Sequence, residues 1–233
     1  MSKKKHETVV KEITYPNGDT YVGSTVEKKR GGGIGLYSSH LGNKYIGNFE
    51  DDNRNGIGLE IFNNKDEFIG EWKNNEFNGI GKYTFCTGDM YVGELSNEKM
   101  EGFGFLTFNK GGEYEGYFKE GKRKGFGIRI YKNKDRYEGE WDKAVKDGFG
   151  KIFFSNGDTY EGELKNDKRN GYGIYKSKKG VSYEGQWKDD MKDGFGSYVF
   201  EDGTKYEGEY KNDERTGRGF FILKDGKKIY AGN

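Results

Sequence analysis

Aliphatic side chains are scarce in this 233-residue chain: hydrophobic residues make up 31%, and aromatics alone account for 16%. So little Leu, Ile and Val cannot fill the two-layer core of an ordinary domain of this length. Proline is almost missing, one residue against 40 glycines, which excludes collagen and Pro-rich linkers. A single cysteine, Cys86, permits no intramolecular disulfide and no multi-cysteine zinc site, as in a reducing compartment. No apolar run approaches the roughly 18 residues of a membrane-spanning helix. The start, Met1-Ser-Lys-Lys-Lys-His6, leads into polar sequence rather than a signal-peptide apolar region. With a net charge of +1 there is no basic stripe for nucleic acid. These absences describe a soluble, cytoplasmic protein without redox chemistry.

What is present is aromatic and periodic. Disordered chains avoid aromatics, yet this one carries 18 Tyr, 17 Phe and 3 Trp. A motif of aromatic, any residue, Gly, any residue, aromatic or Leu begins at Tyr45, Phe68, Tyr91, Tyr114, Tyr137, Tyr160, Tyr183 and Tyr206, a spacing of 23. Tyr21 and Tyr230 are each displaced by one residue, as end repeats tend to be. A Gly-x-Gly motif follows each aromatic, from Gly56-Ile-Gly58 to Gly217-Arg-Gly219, and comes one residue late at Gly33-Ile-Gly35. Turn signals such as Asn17-Gly18-Asp19 and Asn156-Gly157-Asp158 separate the units, so each reads strand, polar loop, strand, turn.

Alternation sets the faces. In Tyr137-Glu-Gly-Glu-Trp141 the residues Tyr137, Gly139 and Trp141 share one face and the two glutamates the other. The central glycine leaves room for a neighbouring ring to lie flat over the backbone. A 23-residue hairpin is too small to be stable alone and must draw order from its neighbours. The fold class predicted is all-β: an elongated, single-layer, twisted antiparallel sheet of tandem β-hairpins, a solenoid-like rod. Two strands per repeat and nine repeats, at about 4.8 Å per strand, give a ribbon on the order of 85 to 90 Å. Residues 1–14 form a basic tail and first strand, and 15–233 the array of about nine repeats with a partial tenth.

Tyr-x-Gly-x-Trp followed by Gly-x-Gly every 23 residues resembles the MORN repeat (membrane occupation and recognition nexus), over roughly residues 15 to 233. The resemblance implies an aromatic-lined groove along such a sheet. It also implies roles in radial spoke heads of cilia, cytoskeletal scaffolds or membrane junctions, or as an attachment to lipid kinases and a methyltransferase. No such enzyme domain fits in the remaining residues. The place of Trp72, Trp141 and Trp187 is taken elsewhere by Thr25, Phe49, Leu95, Phe118, Leu164 and Tyr210, which leaves the groove uneven.

Candidate catalytic and metal sites dissolve on inspection. Gly102-Phe-Gly104 has no third glycine and no following helix for a pyrophosphate. Asp51-Asp-Asn53-Arg-Asn55-Gly56 opens like a calcium loop, but Phe62 stands where the bidentate Glu belongs. The pairs Glu138/Glu140, Glu161/Glu163 and Glu207/Glu209 form a ladder along an open face, not one constellation in a pocket. His6 and His40 have no sequence reason to approach Cys86, which begins an exposed turn. The reading is a protein without enzymatic activity, cofactor or metal.

It is instead a scaffold for other proteins, in a cytoskeletal or ciliary assembly as the family suggests. A helix or peptide would occupy an aromatic groove made by Phe49, Trp72, Phe118, Trp141, Trp187 and Tyr210. The C-terminal strands at Phe220, Phe221 and Tyr230 would serve end-on association, including a homodimer through that edge. The alternative is a peripheral module contacting anionic phospholipid through basic loops at Lys28, Lys29, Arg30, Lys122, Arg123 and Lys124, with the Lys3–Lys5 tail contributing. At about 1 kcal/mol per basic residue that contact would be weak and salt-sensitive.

Overall fold

A computed structural model of the chain describes residues 8–232. The Lys3–Lys5 tail and His6 lie outside them. Twenty strands and no helix make up the described chain, so nothing in it is a helix long and apolar enough to cross a membrane. Two compact units emerge: the first takes the chain to Lys110 together with Phe118–Gly121, the second Gly111–Tyr117 and everything from Lys122.

Each unit is a single antiparallel layer in which every strand pairs with the next along the chain. In the first, pairing runs from Val9–Thr14 through Thr20–Val26 and onward to Lys99–Thr107. In the second it runs from Lys122–Tyr131 to Lys228–Ala231. One face of every layer is buried and the other open, as the strand Ser182–Lys188 illustrates: Tyr183, Gly185 and Trp187 are buried while Glu184, Gln186 and Lys188 are exposed.

Two turns alternate. The segment read as a polar loop is a two-residue turn with both residues at positive φ, for example Asp51 (46°) and Asp52 (70°) or Asn166 (48°) and Asp167 (68°), the twist that suits a hairpin. The second turn closes over Gly: Gly157 N–H donates to the Phe154 carbonyl and Phe154 N–H to the Asp158 carbonyl, both at 2.9 Å. The two glycines of Gly-x-Gly answer different needs. The first, such as Gly148 at φ 112°, sits where the register slips after Gly139↔Gly150, a β-bulge. The second lies beneath a ring: a Cβ on Gly150 would overlap Tyr137, and one on Gly58 would overlap Tyr45. The irregular first repeat obeys the same rule, since Tyr21 covers Gly23 and Gly35 and the additional residue is taken up around Gly32 at φ 76°.

Candidate functional site

The buried face is built in tiers. Its floor is the tyrosine row, of which Tyr45, Tyr91, Tyr137, Tyr160 and Tyr183 are at most 1% exposed. Each ring covers a cross-strand glycine pair and its hydroxyl donates to the carbonyl three residues on, as from Tyr137 to Glu140 at 2.8 Å. Burial pushes the Tyr45 and Tyr114 hydroxyls up to about 12.

The tryptophan position is wedged between successive rings. Trp141 meets Tyr114 and Tyr137 edge-on with centroids 5.4 and 5.2 Å apart, and its indole N–H donates to the Gly127 carbonyl at 3.3 Å. Trp72 and Trp187 repeat this with Gly58 and Gly173 at 3.1 Å. A cation from the preceding hairpin then covers the ring: Arg54 over Trp72 at 4.4 Å, Arg123 over Trp141 at 4.2 Å and Arg169 over Trp187 at 4.1 Å. Each guanidinium also donates to a turn carbonyl, of Asn75, Ala144 and Asp190 respectively, at 2.7–2.8 Å. Arg54 further pairs with the buried Glu60, whose carboxyl burial pushes upward.

Phe49, Trp72, Phe118, Trp141, Trp187 and Tyr210 are therefore 3–5% exposed. They are a covered layer of the fold. Of the end-on candidates, Phe220 and Tyr230 are cross-strand partners on the open face with ring centroids 5.6 Å apart. Phe221 lies on the other face, against Tyr206 at 5.2 Å. The structure brings the first two together and not the third.

Most of the basic loop residues are engaged within the array. Lys29 pairs with Asp51 at 3.3 Å and Lys124 with Asp142 at 2.6 Å. Arg30 lies over Phe49 and pairs with Asp52, and Arg123 lies over Trp141. Lys28 and Lys122 are exposed at turns. The glutamate ladder is likewise structural: the Glu140 and Glu163 carboxylates accept from the bulge N–H groups of Phe149 and Tyr172 at 3.3 and 2.9 Å, while Glu161 pairs with Lys151 at 2.9 Å. The Asp51 carboxylate accepts from Lys29 at 3.3 Å and that of Asp52 from the Arg30 N–H at 2.8 Å. The Cys86 thiol is exposed, and its backbone N–H donates to Asp66 while His40 binds Asp19.

Sequence reasoning missed the cation row and what happens where it fails. Counting by 23 from Arg54 gives Phe77, Met100, Arg123, Lys146, Arg169, Lys192 and Arg215. At Phe77 and Met100 the cation is replaced by an apolar side chain, and Leu95 stands where the next tryptophan would be. A groove of about 370 Å³ opens there, lined chiefly by Phe62, Phe77, Tyr83, Phe85, Leu95 and Met100, with Glu98 and Lys99 at its side. Its rings brace one another: Phe77 lies 4.5 Å from Phe68, and Tyr83 4.6 Å from Phe85. The second unit has a larger concavity of about 610 Å³, but Arg215 covers its rings, at 5.2 Å from Phe221, and Glu201 and Asp202 border it.

Comparison with known proteins bears on the repeat and little else. The MORN repeat matches at residues 45–67, 68–90, 91–113, 114–136, 137–159, 160–182, 183–205 and 206–228. A comparison with curated proteins finds no match. Among solved structures, the TCP10 domain of Danio rerio CPAP in complex with a STIL peptide is 13% identical, with a TM-score of 0.45 over 97% of this chain and 100% of that one. The Drosophila melanogaster SAS-4 TCP domain, bound to a proline-rich motif of Ana2, is 14% identical with a TM-score of 0.28, over 100% of this chain and 97% of that one. Neither bears on what this chain does. Eight consecutive matches, each spanning a hairpin whose ring covers a glycine pair, place the chain in the MORN repeat family.

Proposed function

We propose that this protein is a non-catalytic docking module that holds a helix or extended segment of a protein partner on the aromatic face of its first unit. The observation that carries this reading is the groove at Phe62, Tyr83 and Phe85, where the covering cations give way to Phe77 and Met100. At the larger concavity of the second unit Arg215 lies over the rings, 5.2 Å from Phe221. In the first-unit groove aromatic surface is left for another molecule, and such rings give large contact area at low entropic cost. Glu98 and Lys99 offer one charge of each sign at the side, which suits a segment with an apolar anchor and a polar flank. Family membership supports a cytoskeletal or ciliary assembly as the setting.

Restoring the cations tests the groove. Phe77→Arg together with Met100→Arg should leave the far-ultraviolet spectrum unchanged and abolish partners that the wild-type protein recovers by co-purification from its source cell. An unaltered set of partners on the folded double variant would refute the reading.

A further inference from the structure

We propose that the open face of the first unit is a homodimer interface, on which a second copy of this chain packs face to face. Two rows of side chains cover that face. One is a ladder of cross-strand neighbours, Val22↔Leu36, Leu36↔Ile46, Ile46↔Leu59 and Leu59↔Ile69, interrupted by Lys82 and closed by Val92↔Phe105. The other holds the middle residues of the Gly-x-Gly motifs, with Ile34, Ile57 and Ile80 at 66, 57 and 62% exposed.

Area decides that this is more than scattered surface hydrophobicity. Eleven apolar side chains on this face are exposed, from Val22 to Phe105. At roughly half of each, they present on the order of 800 Å². The largest apolar patch of an ordinary monomer is about 300–600 Å². One side of a standard stable interface is about 800 Å².

Shape and charge decide the occupant. The face is a regular array of apolar side chains rising from strands about 4.8 Å apart, a surface that packs well against another sheet of the same pitch. A second copy supplies such a sheet, with apolar rows of matching length. The neighbouring carboxylates Glu71 and Glu94 lie back along the sheet, accepting from the Ile80 and Phe103 N–H groups at 3.3 and 3.2 Å, and belong at the rim, where they stay in water. The second unit supplies an internal reference: its Gly-x-Gly row is apolar too, with Phe126, Phe149, Tyr172 and Phe195 51–63% exposed, but its ladder reads Ile128↔Glu138, Glu138↔Lys151, Lys151↔Glu161 and Ile174↔Glu184, charged at nearly every step. The same backbone thus folds without an aliphatic open face, and folding alone gives no reason for one.

Sedimentation velocity of the full chain, from below one to tens of micromolar, tests this. The wild-type protein should reach the mass of two chains. Ile46→Glu with Ile69→Glu, which copy the residues at Glu138 and Glu161, should remain at one chain throughout with unchanged circular dichroism, a weakening of about a hundredfold or more. Lys82→Leu, which removes the charge in the ladder, should strengthen association. Phe77→Arg with Met100→Arg, on the opposite face, should leave it intact, so failure here is separable from failure of the docking groove. A wild-type protein that stays at one chain, as it would if the face served a different partner, overturns the proposal. So does a dimer that survives the two glutamates, or one that Lys82→Leu does not tighten.

Discussion

The two units share one inner layer and differ in their outer one. Inside, Tyr45 over Gly47 and Gly58 in the first unit has its equivalent in Tyr137 over Gly139 and Gly150 in the second. Outside, the residue after the buried aromatic is Val22, Ile46, Ile69 and Val92 in the first and Glu138, Glu161, Glu184 and Glu207 in the second. The cation row differs too, broken by Phe77 and Met100 in the first but continuous from Arg123 to Arg215 in the second. Rings over glycines and edge-to-face contacts make the hairpin, and they recur in both units. The outer face and the covering cations vary without altering the fold, so their variation carries information about partners.

The sharpest way to break this comparison is to remove a ring that both units use. Trp141→Ala deletes a side chain 3% exposed, two edge-to-face contacts and an indole hydrogen bond, and should cost about 3–5 kcal/mol. Trp72→Ala should cost a similar amount, since Trp72 is also 3% exposed and wedged between two rings. Urea unfolding of the two variants measures both. A loss below about 0.5 kcal/mol in either unit, which is within the range of surface substitutions, would mean that the inner layers are not equivalent.

Next in size is the cation that the first unit lacks. Arg169→Met copies Met100 into the second unit and removes the contact over Trp187, the donation to the Asp190 carbonyl and the pairing with the Asp190 carboxylate. The expected cost is about 1–2 kcal/mol, with the indole newly exposed. Quenching of tryptophan fluorescence by acrylamide reports that exposure directly. Unchanged quenching would show that the guanidinium is not what shields the ring.

Much of this was legible in the sequence. The period of 23, the facing of Tyr137, Gly139 and Trp141, and the ring over glycine all follow from alternation, and the structure has them. The covering of the tryptophans was not, because Arg54 and Trp72 or Arg169 and Trp187 stand 18 residues apart, and each cation reaches the ring from the bulged end of its strand. Periodicity alone finds the row without saying where it points. The open face was written plainly in the residue after each aromatic, which changes from aliphatic to Glu between Val92 and Glu115. Its exposure follows only once the opposite face is known to hold the whole core.

A smaller effect separates the acid and alkaline limbs of stability. The Tyr175 hydroxyl donates to the Asp158 carboxylate at 2.5 Å and the Lys178 N–H at 3.0 Å, which hold Asp158 below the usual carboxylate range. Burial and that same carboxylate push Tyr175 up to about 12. Because the folded value of Asp158 is the lower one, its contribution is full above the unfolded value near 4 and is lost as pH falls through the folded one. Tyr175, raised from about 10, contributes fully below that value, and the contribution disappears as pH rises through about 12. Tyr175→Phe should therefore flatten the thermal midpoint against pH at both ends. A profile parallel to the wild type would exclude this pair as a source of pH dependence. In the first unit, Tyr37→Phe should act in the same direction, since Asp19 is lowered by its Tyr37 and His40 hydrogen bonds.

The smallest effect on stability is expected from making the second unit's open face resemble the first. Lys151 and Glu161 are paired across neighbouring strands at 2.9 Å with both side chains about half exposed. An exposed pair of this kind is worth about 0–1 kcal/mol, and two aliphatic residues at the same cross-strand position recover a similar amount through packing. Lys151→Leu with Glu161→Ile should accordingly shift the urea midpoint very little. A loss of several kcal/mol would show that the polar ladder supports the hairpins of the second unit. The open face would then have been shaped by the fold, and the aliphatic ladder of the first unit would need no partner to explain it.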